Sequence, residues 1–120
     1  MKFKIAGREI GNNKDPLIIA EIGINHNGNL DQAIAIADSA IKSGAEILKH
    51  QTHIPDEEMS LEAKRTIPGN SNKSIYSIIK QCALSETDEE KLMKYIKSKK
   101  KIFISTPFSK AAVDRLIRFG

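Results

Sequence analysis

Glu21, Lys49, Gln51 and Thr106 are the residues whose types and positions suggest shared chemistry. Each closes or interrupts a short apolar run: Ile19-Ala20-Glu21, Ile47-Leu48-Lys49-His50-Gln51 and Ile102-Phe103-Ile104-Ser105-Thr106. A carboxylate, a cation with an amide, and a hydroxyl at three strand ends resemble an active site more than a packing accident. A lysine inside an apolar run is costly to bury without an anionic partner. Lys49 therefore implies either a salt bridge to Glu21 or a bound phosphate or carboxylate, and the grouping favours the bound anion. Gln51 and Thr106 taken singly are ordinary strand caps; taken with Lys49 they extend a polar site.

Three βα units must position these residues. Pro16 opens a strand over Leu17 to Glu21 that is apolar on both faces, as in a buried parallel strand. A polar loop, Gly23 to Gly28, leads into a helix from about Asn29 to Ser43. Leu30, Ala33, Ile34, Ala37 and Ile41 lie on one face of that helix, and Gly44 supplies the stop. A second strand covers Glu46 to Gln51. Thr52 to Ser85 is a long polar segment with short helical pieces, one over Ser74 to Cys82, and such length marks a functional insertion.

Thr87-Asp88-Glu89-Glu90 reads as a capping box, with Leu92, Tyr95 and Ile96 as the inward face of a helix to about Ser98. A third strand, Lys101 to Ser105, ends at Thr106-Pro107, and a last helix begins near Ser109. Ahead of all this, Phe3 to Ile5 and Glu9 to Ile10 form a small hairpin through Gly7 that closes the bottom of the domain. Repeated βα units imply parallel strands with right-handed crossovers, whose carboxyl ends hold ligands in barrels and open sheets alike. On the second strand Lys49, Gln51 and His53 share one face, and Leu48 and His50 the other.

Composition excludes several function classes. The chain has 120 residues, 40% hydrophobic and 28% charged, which fits one globular domain. No apolar run approaches the ~20 residues of a membrane helix, and the first residues lack a secretory signal core. A lone cysteine, Cys82, cannot form an internal disulfide and suits a reducing cytoplasm. The net charge of +4 is concentrated in Lys97-Ser98-Lys99-Lys100-Lys101. That run lacks interleaved aromatics and reads as a helix end rather than a nucleic-acid surface. His50 and His53 face opposite ways on a strand, and His26 has no evident second ligand nearby, so the chain alone is not expected to build a metal site. Asn25, Asn27 and Gly28 are expected to shape the turn and cap the following helix.

Four blocks in order, Glu-Ile-Gly-Ile-Asn-His-Asn-Gly at 21–28, Lys-His-Gln-Thr-His-Ile at 49–54, Ile-Pro-Gly-Asn at 67–70 and Ser-Thr-Pro-Phe at 105–108, closely resemble bacterial N-acetylneuraminate (sialic acid) synthases. The wider family includes legionaminic and pseudaminic acid synthases, where the second block more usually reads Lys-Phe-Gln-Thr. The resemblance implies a (β/α)8 barrel followed by an antifreeze-like domain in a domain-swapped homodimer. It implies condensation of phosphoenolpyruvate with N-acetylmannosamine, release of phosphate, and a divalent metal, Mn2+ or Mg2+, acting as Lewis acid on the aldehyde. By position, Glu21 matches the catalytic carboxylate that orients or deprotonates water. Lys49 and Thr106 match phosphoenolpyruvate-binding positions, and Gln51, Asn70 and Phe108 match positions around the sugar.

A complete barrel of this kind takes about 250 residues, so 1–120 corresponds to the N-terminal βα units, an α/β fold with the barrel incomplete. The metal ligands and the antifreeze-like domain are expected beyond Gly120. The main expectation is thus the N-terminal part of a cytoplasmic sialic acid synthase, with no nucleic-acid or membrane partner. The alternatives are a synthase for another nonulosonic acid and an inactive phosphate- or sugar-binding fragment.

Overall fold

The computed structural model describes residues 2–120. Two short strands, β1 (Lys2–Ile5) and β2 (Arg8–Gly11), pair antiparallel. Their two-residue turn has Ala6 at φ 46° and Gly7 at φ 84°, the positive angles that let a tight turn follow the strand twist. Arg8 Nε donates to Glu46 Oε2 at 2.9 Å, tying the hairpin to the N-terminal end of the main sheet as the sequence suggested.

That sheet has three parallel strands in the order β3 (Ile19–Gly23), β4 (Ile47–Thr52) and β5 (Ile102–Pro107). Each is followed by helix: α1 (Leu30–Lys42) after β3, a winding segment and α4 (Glu86–Ser98) after β4, and α5 (Lys110–Phe119) after β5. The winding segment contains α2 (Pro55–Glu58), a single 3-10 turn at Ala63–Arg65, and α3 (Ile75–Cys82). The helices cover one face of the sheet. Ile22, Ala33, Ala37, Leu48, Leu84, Leu92 and Ile96 form the core there, with Phe103 packed against it. Fully burying side chains such as Leu48, Leu92 and Ile96 stabilises the fold by roughly 1.5–3 kcal/mol each. Tyr95 donates its hydroxyl proton to Asp38 Oδ1 at 2.7 Å, fastening α4 to α1.

Local chemistry sets the helix ends. Asn29 Oδ1 accepts from the Gln32 amide at 2.9 Å and caps α1. Ser74 and Ser109 cap α3 and α5 in the same way. The α4 start departs from expectation: Ser85, not Thr87, is the cap, accepting from the Asp88 amide at 3.1 Å. Ser85-Glu86-Thr87-Asp88 has the same hydroxyl-to-acid spacing two residues earlier, and the earlier start lengthens the helix by about half a turn. Glu90 then pairs with Lys94 one turn on (2.7 Å) instead of reaching back.

The lysine run closes α4: Lys100 takes φ 58°, and Lys99 lies 4.9 Å over the Tyr95 ring.

Strand limits also shift. β3 begins at Ile19, because the backbone carbonyl of Ile18 accepts from Glu46 and Ile47 and starts the ladder there. Glu21 consequently lies inside the strand, and Gly23 forms its end. β5 runs two residues past Ser105, so Thr106 is a ladder residue facing Gln51. Within residues 2–120 the helices cover one face of the main sheet. Opposite the helices, Ile19 and Ile104 are 47% and 37% exposed. Among the described residues no helix is long and apolar enough to cross a membrane.

Candidate active-site rim

Register stacks the open face in layers. Ile19, Ile47 and Ile102 are aligned at the bottom, Glu21, Lys49 and Ile104 above them, and Gln51 with Thr106 at the carboxyl-terminal rim. The alternation of strand side chains puts all of these on one face. Lys49 Nζ donates to Glu21 Oε1 at 2.8 Å. The salt bridge given the smaller weight in the sequence is therefore formed. It is open to solvent, with the side chains 33% and 57% exposed, so both groups remain accessible to a ligand. An exposed pair of this kind adds little to stability.

The β3 end is irregular where it leads away from Glu21. Glu21 opposes Lys49 and Gly23 opposes His50, which leaves Ile22 as an extra residue. Such bulges bend a strand and re-aim its side chains. The Ile22 carbonyl accepts from the Asn25 amide and from Asn25 Nδ2 (2.9 Å), and Gly23 takes φ 57°.

Gln51 and Phe108 meet through a residue the sequence had weighed only as a metal ligand. His53 Nε2 lies 3.3 Å from Gln51 Oε1, its Nδ1 lies 3.0 Å from both Glu58 carboxylate oxygens, and its ring stacks on Phe108 at 4.2 Å. A cavity of about 250 Å³ opens beside this group, walled by Met59, Ile75, Ile79 and Phe108. Asn70 lies on an exposed turn closed by Ser71 N to Pro68 O, with no hydrogen bond to these residues among those described. The structure thus groups Glu21 with Lys49, Gln51 with Thr106 and Phe108 with Gln51 by way of His53, and leaves Asn70 apart.

The face behind the rim holds a buried polar cluster that the sequence reading missed. His26, expected to be a loop residue without a neighbour, is wholly buried, its Nε2 3.2 Å from His50 Nε2. His50 Nδ1 lies 3.2 Å from Glu89 Oε1, which also accepts from Thr52 Oγ1, and Arg115 Nη1 donates to Glu89 Oε2 at 3.1 Å. Ser105 Oγ lies 2.7 Å from Thr52 Oγ1. The available signal was Glu89 itself, an acid at the phase of Leu92, Met93 and Ile96 on the buried face of α4.

Burial first, and the His50 ring second, push the His26 pKa down from 6.5 to about 4. Burial works to raise the Glu89 carboxyl, but hydrogen bonds from His50, Thr52 and Arg115 outweigh it and hold the group below its ordinary value. Both shifts act in one direction. The unfolded chain takes up protons at a pH where the folded chain does not, so stability is greatest above pH 6.5 and declines as the pH falls. For His26 the decline runs from about 6.5 to about 4 and amounts to roughly 3 kcal/mol. Urea unfolding at pH 7.5 and pH 4.5 should show this loss; equal stabilities would contradict a neutral buried His26.

Among the described residues no three His, Cys, Asp or Glu side chains converge as metal ligands. The metal that the resemblance implies does not fit the residues present, which offer a carboxylate–lysine pair at the rim and paired histidines behind it.

Comparisons with known proteins identify the family and the fold. The profile of the NeuB family matches residues 36–120. The chain is 34% identical to the spore coat polysaccharide biosynthesis protein SpsE of Bacillus subtilis over 95% of its own length and 31% of that protein. It is also 34% identical to the N,N'-diacetyllegionaminic acid synthase of Legionella pneumophila, over 92% of this chain and 32% of that one. The crystal structure of an N-acetylneuraminic acid (sialic acid) synthetase from Leptospira borgpetersenii, in complex with citrate, superimposes with a TM-score of 0.78 at 25% identity. That match covers 100% of this chain and 39% of the other. The chain thus spans about a third of the length of the curated relatives it matches. Its α/β fold is the N-terminal part of the barrel of these synthases, with a partial sheet. The chain belongs to the NeuB family, whose members include sialic, legionaminic and pseudaminic acid synthases.

Proposed function

We propose that the rim of β3, β4 and β5 binds phosphoenolpyruvate, and that residues 1–120 supply the N-terminal share of a sialic acid synthase barrel. The proposed reaction joins phosphoenolpyruvate to N-acetylmannosamine, giving N-acetylneuraminate and phosphate. The observation that carries this reading is the solvent-open Glu21–Lys49 pair beneath Gln51 and Thr106. Each residue has a role matched to its chemistry. Lys49 and the Thr106 hydroxyl hold the anionic substrate, and the multiply charged phosphoenolpyruvate outcompetes a single carboxylate for Lys49. C3 of phosphoenolpyruvate forms the new bond to the aldehyde carbon, water adds at C2, and phosphate leaves by C–O cleavage. Glu21, freed from Lys49, takes the proton of the attacking water. Gln51, Asn70 and Phe108 are proposed for the sugar. A divalent metal, Mn2+ or Mg2+, belongs to the proposal only with ligands from outside these 120 residues, and the complete enzyme is proposed to be a homodimer.

The direct test supplies phosphoenolpyruvate with N-acetylmannosamine or a 2,4-diacetamido sugar to the complete synthase. Product and phosphate should appear with N-acetylmannosamine in preference. The 34% identity to a legionaminic acid synthase supports a second reading, in which the diacetamido sugar wins. Release of phosphate with neither sugar would overturn both readings, and binding without turnover would favour a non-catalytic role. Lys49→Ala should weaken phosphoenolpyruvate affinity about tenfold or more, the loss of one charged hydrogen bond. An unaltered affinity would confine Lys49 to its pair with Glu21.

A further inference from the structure

The buried cluster and the rim interleave along the chain. His50 stands between Lys49 and Gln51, Thr52 follows Gln51, and Ser105 precedes Thr106. Because side chains alternate across a strand, Lys49, Gln51 and Thr106 each have a cluster member beside them pointing to the opposite face, whereas Glu21 has none. The cluster also reaches the loop after Glu21 through His26, and reaches α4 and α5 through Glu89 and Arg115. Arg115 Nε in turn faces Glu86 at 3.7 Å near the surface.

The hydrogen bonds give the cluster a direction. The Gly28 amide donates to His26 Nδ1 at 3.2 Å, so that nitrogen carries no proton and Nε2 carries it. Nε2–H then donates to His50 Nε2, and the remaining His50 proton, on Nδ1, donates to Glu89. Ser105 Oγ also lies 3.4 Å from His50 Nδ1, Thr52 Oγ1 shares Glu89 Oε1, and the chain ends on a carboxylate balanced by Arg115.

We infer that His26, His50 and Glu89 form a one-way hydrogen-bonded chain that locks the 24–29 loop against β4 and so positions the Glu21 end of the rim, which leads into that loop. The inference rests on the function proposed for the rim and names its positioning residues. β4 is held by ladders on both sides, whereas the loop has no ladder partner. Loss of the chain therefore releases the loop first and leaves Lys49 and Gln51 in register. Glu89→Gln tests this with little change in volume. An amide has only one acceptor oxygen. If it faces Arg115, the NH2 meets His50, takes the place of the acceptor and forces the proton to His50 Nε2, opposite the proton of His26. If it faces His50, the NH2 meets Arg115.

Nitrogen-15 NMR of the histidine rings reads the chain directly. At pH 7 the wild type should show neutral His26 protonated on Nε2, with a proton on His50 Nδ1 facing Glu89. In Glu89→Gln at least one of these states should change, and amides 25–29 should exchange about tenfold faster relative to those of β4. If that variant does not fold, the wild-type tautomers together with Ser105→Ala decide the matter, since Ser105 sits at the edge of the cluster. Loss of Ser105 should raise exchange in the loop by about twofold while both tautomers persist. A proton on His26 Nδ1, no proton on His50 Nδ1, or exchange raised equally in loop and strand would overturn the inference. These signals need no substrate, so a protein that made no nonulosonic acid would refute the proposed function while they still decide the chain.

Discussion

Glu21→Gln should lower the turnover of the complete synthase about a hundredfold or more while leaving phosphoenolpyruvate affinity within about twofold. The substitution keeps shape and volume but removes the ability to take a proton, and general-base roles of this kind are worth roughly 10²–10⁴ in rate. The split between turnover and affinity follows from geometry. Glu21 sits 2.8 Å from Lys49, so it competes for the lysine rather than helping to hold an anion. With an amide in its place, Lys49 is freer to bind the substrate. Steady-state kinetics with calorimetric affinities would separate the two quantities. Unchanged turnover would remove Glu21 from the chemistry, and a parallel loss of affinity would make it a binding residue.

Gly28→Ala should cost about 3 kcal/mol of stability or more, through two independent effects. Gly28 has φ 73°, where a residue with a Cβ is disfavoured by roughly 1–2 kcal/mol. A Cβ built there would lie 2.5 Å from the backbone carbonyl oxygen of Gln81, at the end of α3. That contact cannot be relieved by rotating a side chain, so the loop or the helix end must move, at a further cost of about 1–3 kcal/mol. The long segment between β4 and α4 thereby acquires a structural role, since its last helix packs against the loop that follows Glu21. Equilibrium urea unfolding of wild type and variant would check the loss. A change below 1 kcal/mol would mean that this loop is not clamped between β4 and α3.

The parts of the fold legible in the sequence were those carried by local signals. The hairpin through Gly7, the apolar face of α1 with its Gly44 stop, and the α3 and α5 starts at Ser74 and Ser109 were all readable from spacing and caps. Strand limits were less so, because a ladder begins where a partner offers a backbone group, as the Ile18 carbonyl does for Glu46 and Ile47. The α4 cap was misplaced because two overlapping serine- or threonine-to-acid spacings compete, and packing decides between them. The polar rim could be read because charged and amide side chains interrupt apolar runs. His26 could not be paired with His50 from sequence, since a contact across 24 positions depends on how the loop after β3 folds back over β4. The role of His53 between Gln51 and Phe108 was hidden for the same reason.

A crystal structure of the complete synthase with phosphoenolpyruvate bound would test the central claim most directly. The account predicts substrate oxygens within about 3 Å of Lys49 Nζ and Thr106 Oγ1, with Glu21 released from Lys49 and turned toward C2. Phosphoenolpyruvate bound elsewhere, with Lys49 still paired to Glu21, would contradict it.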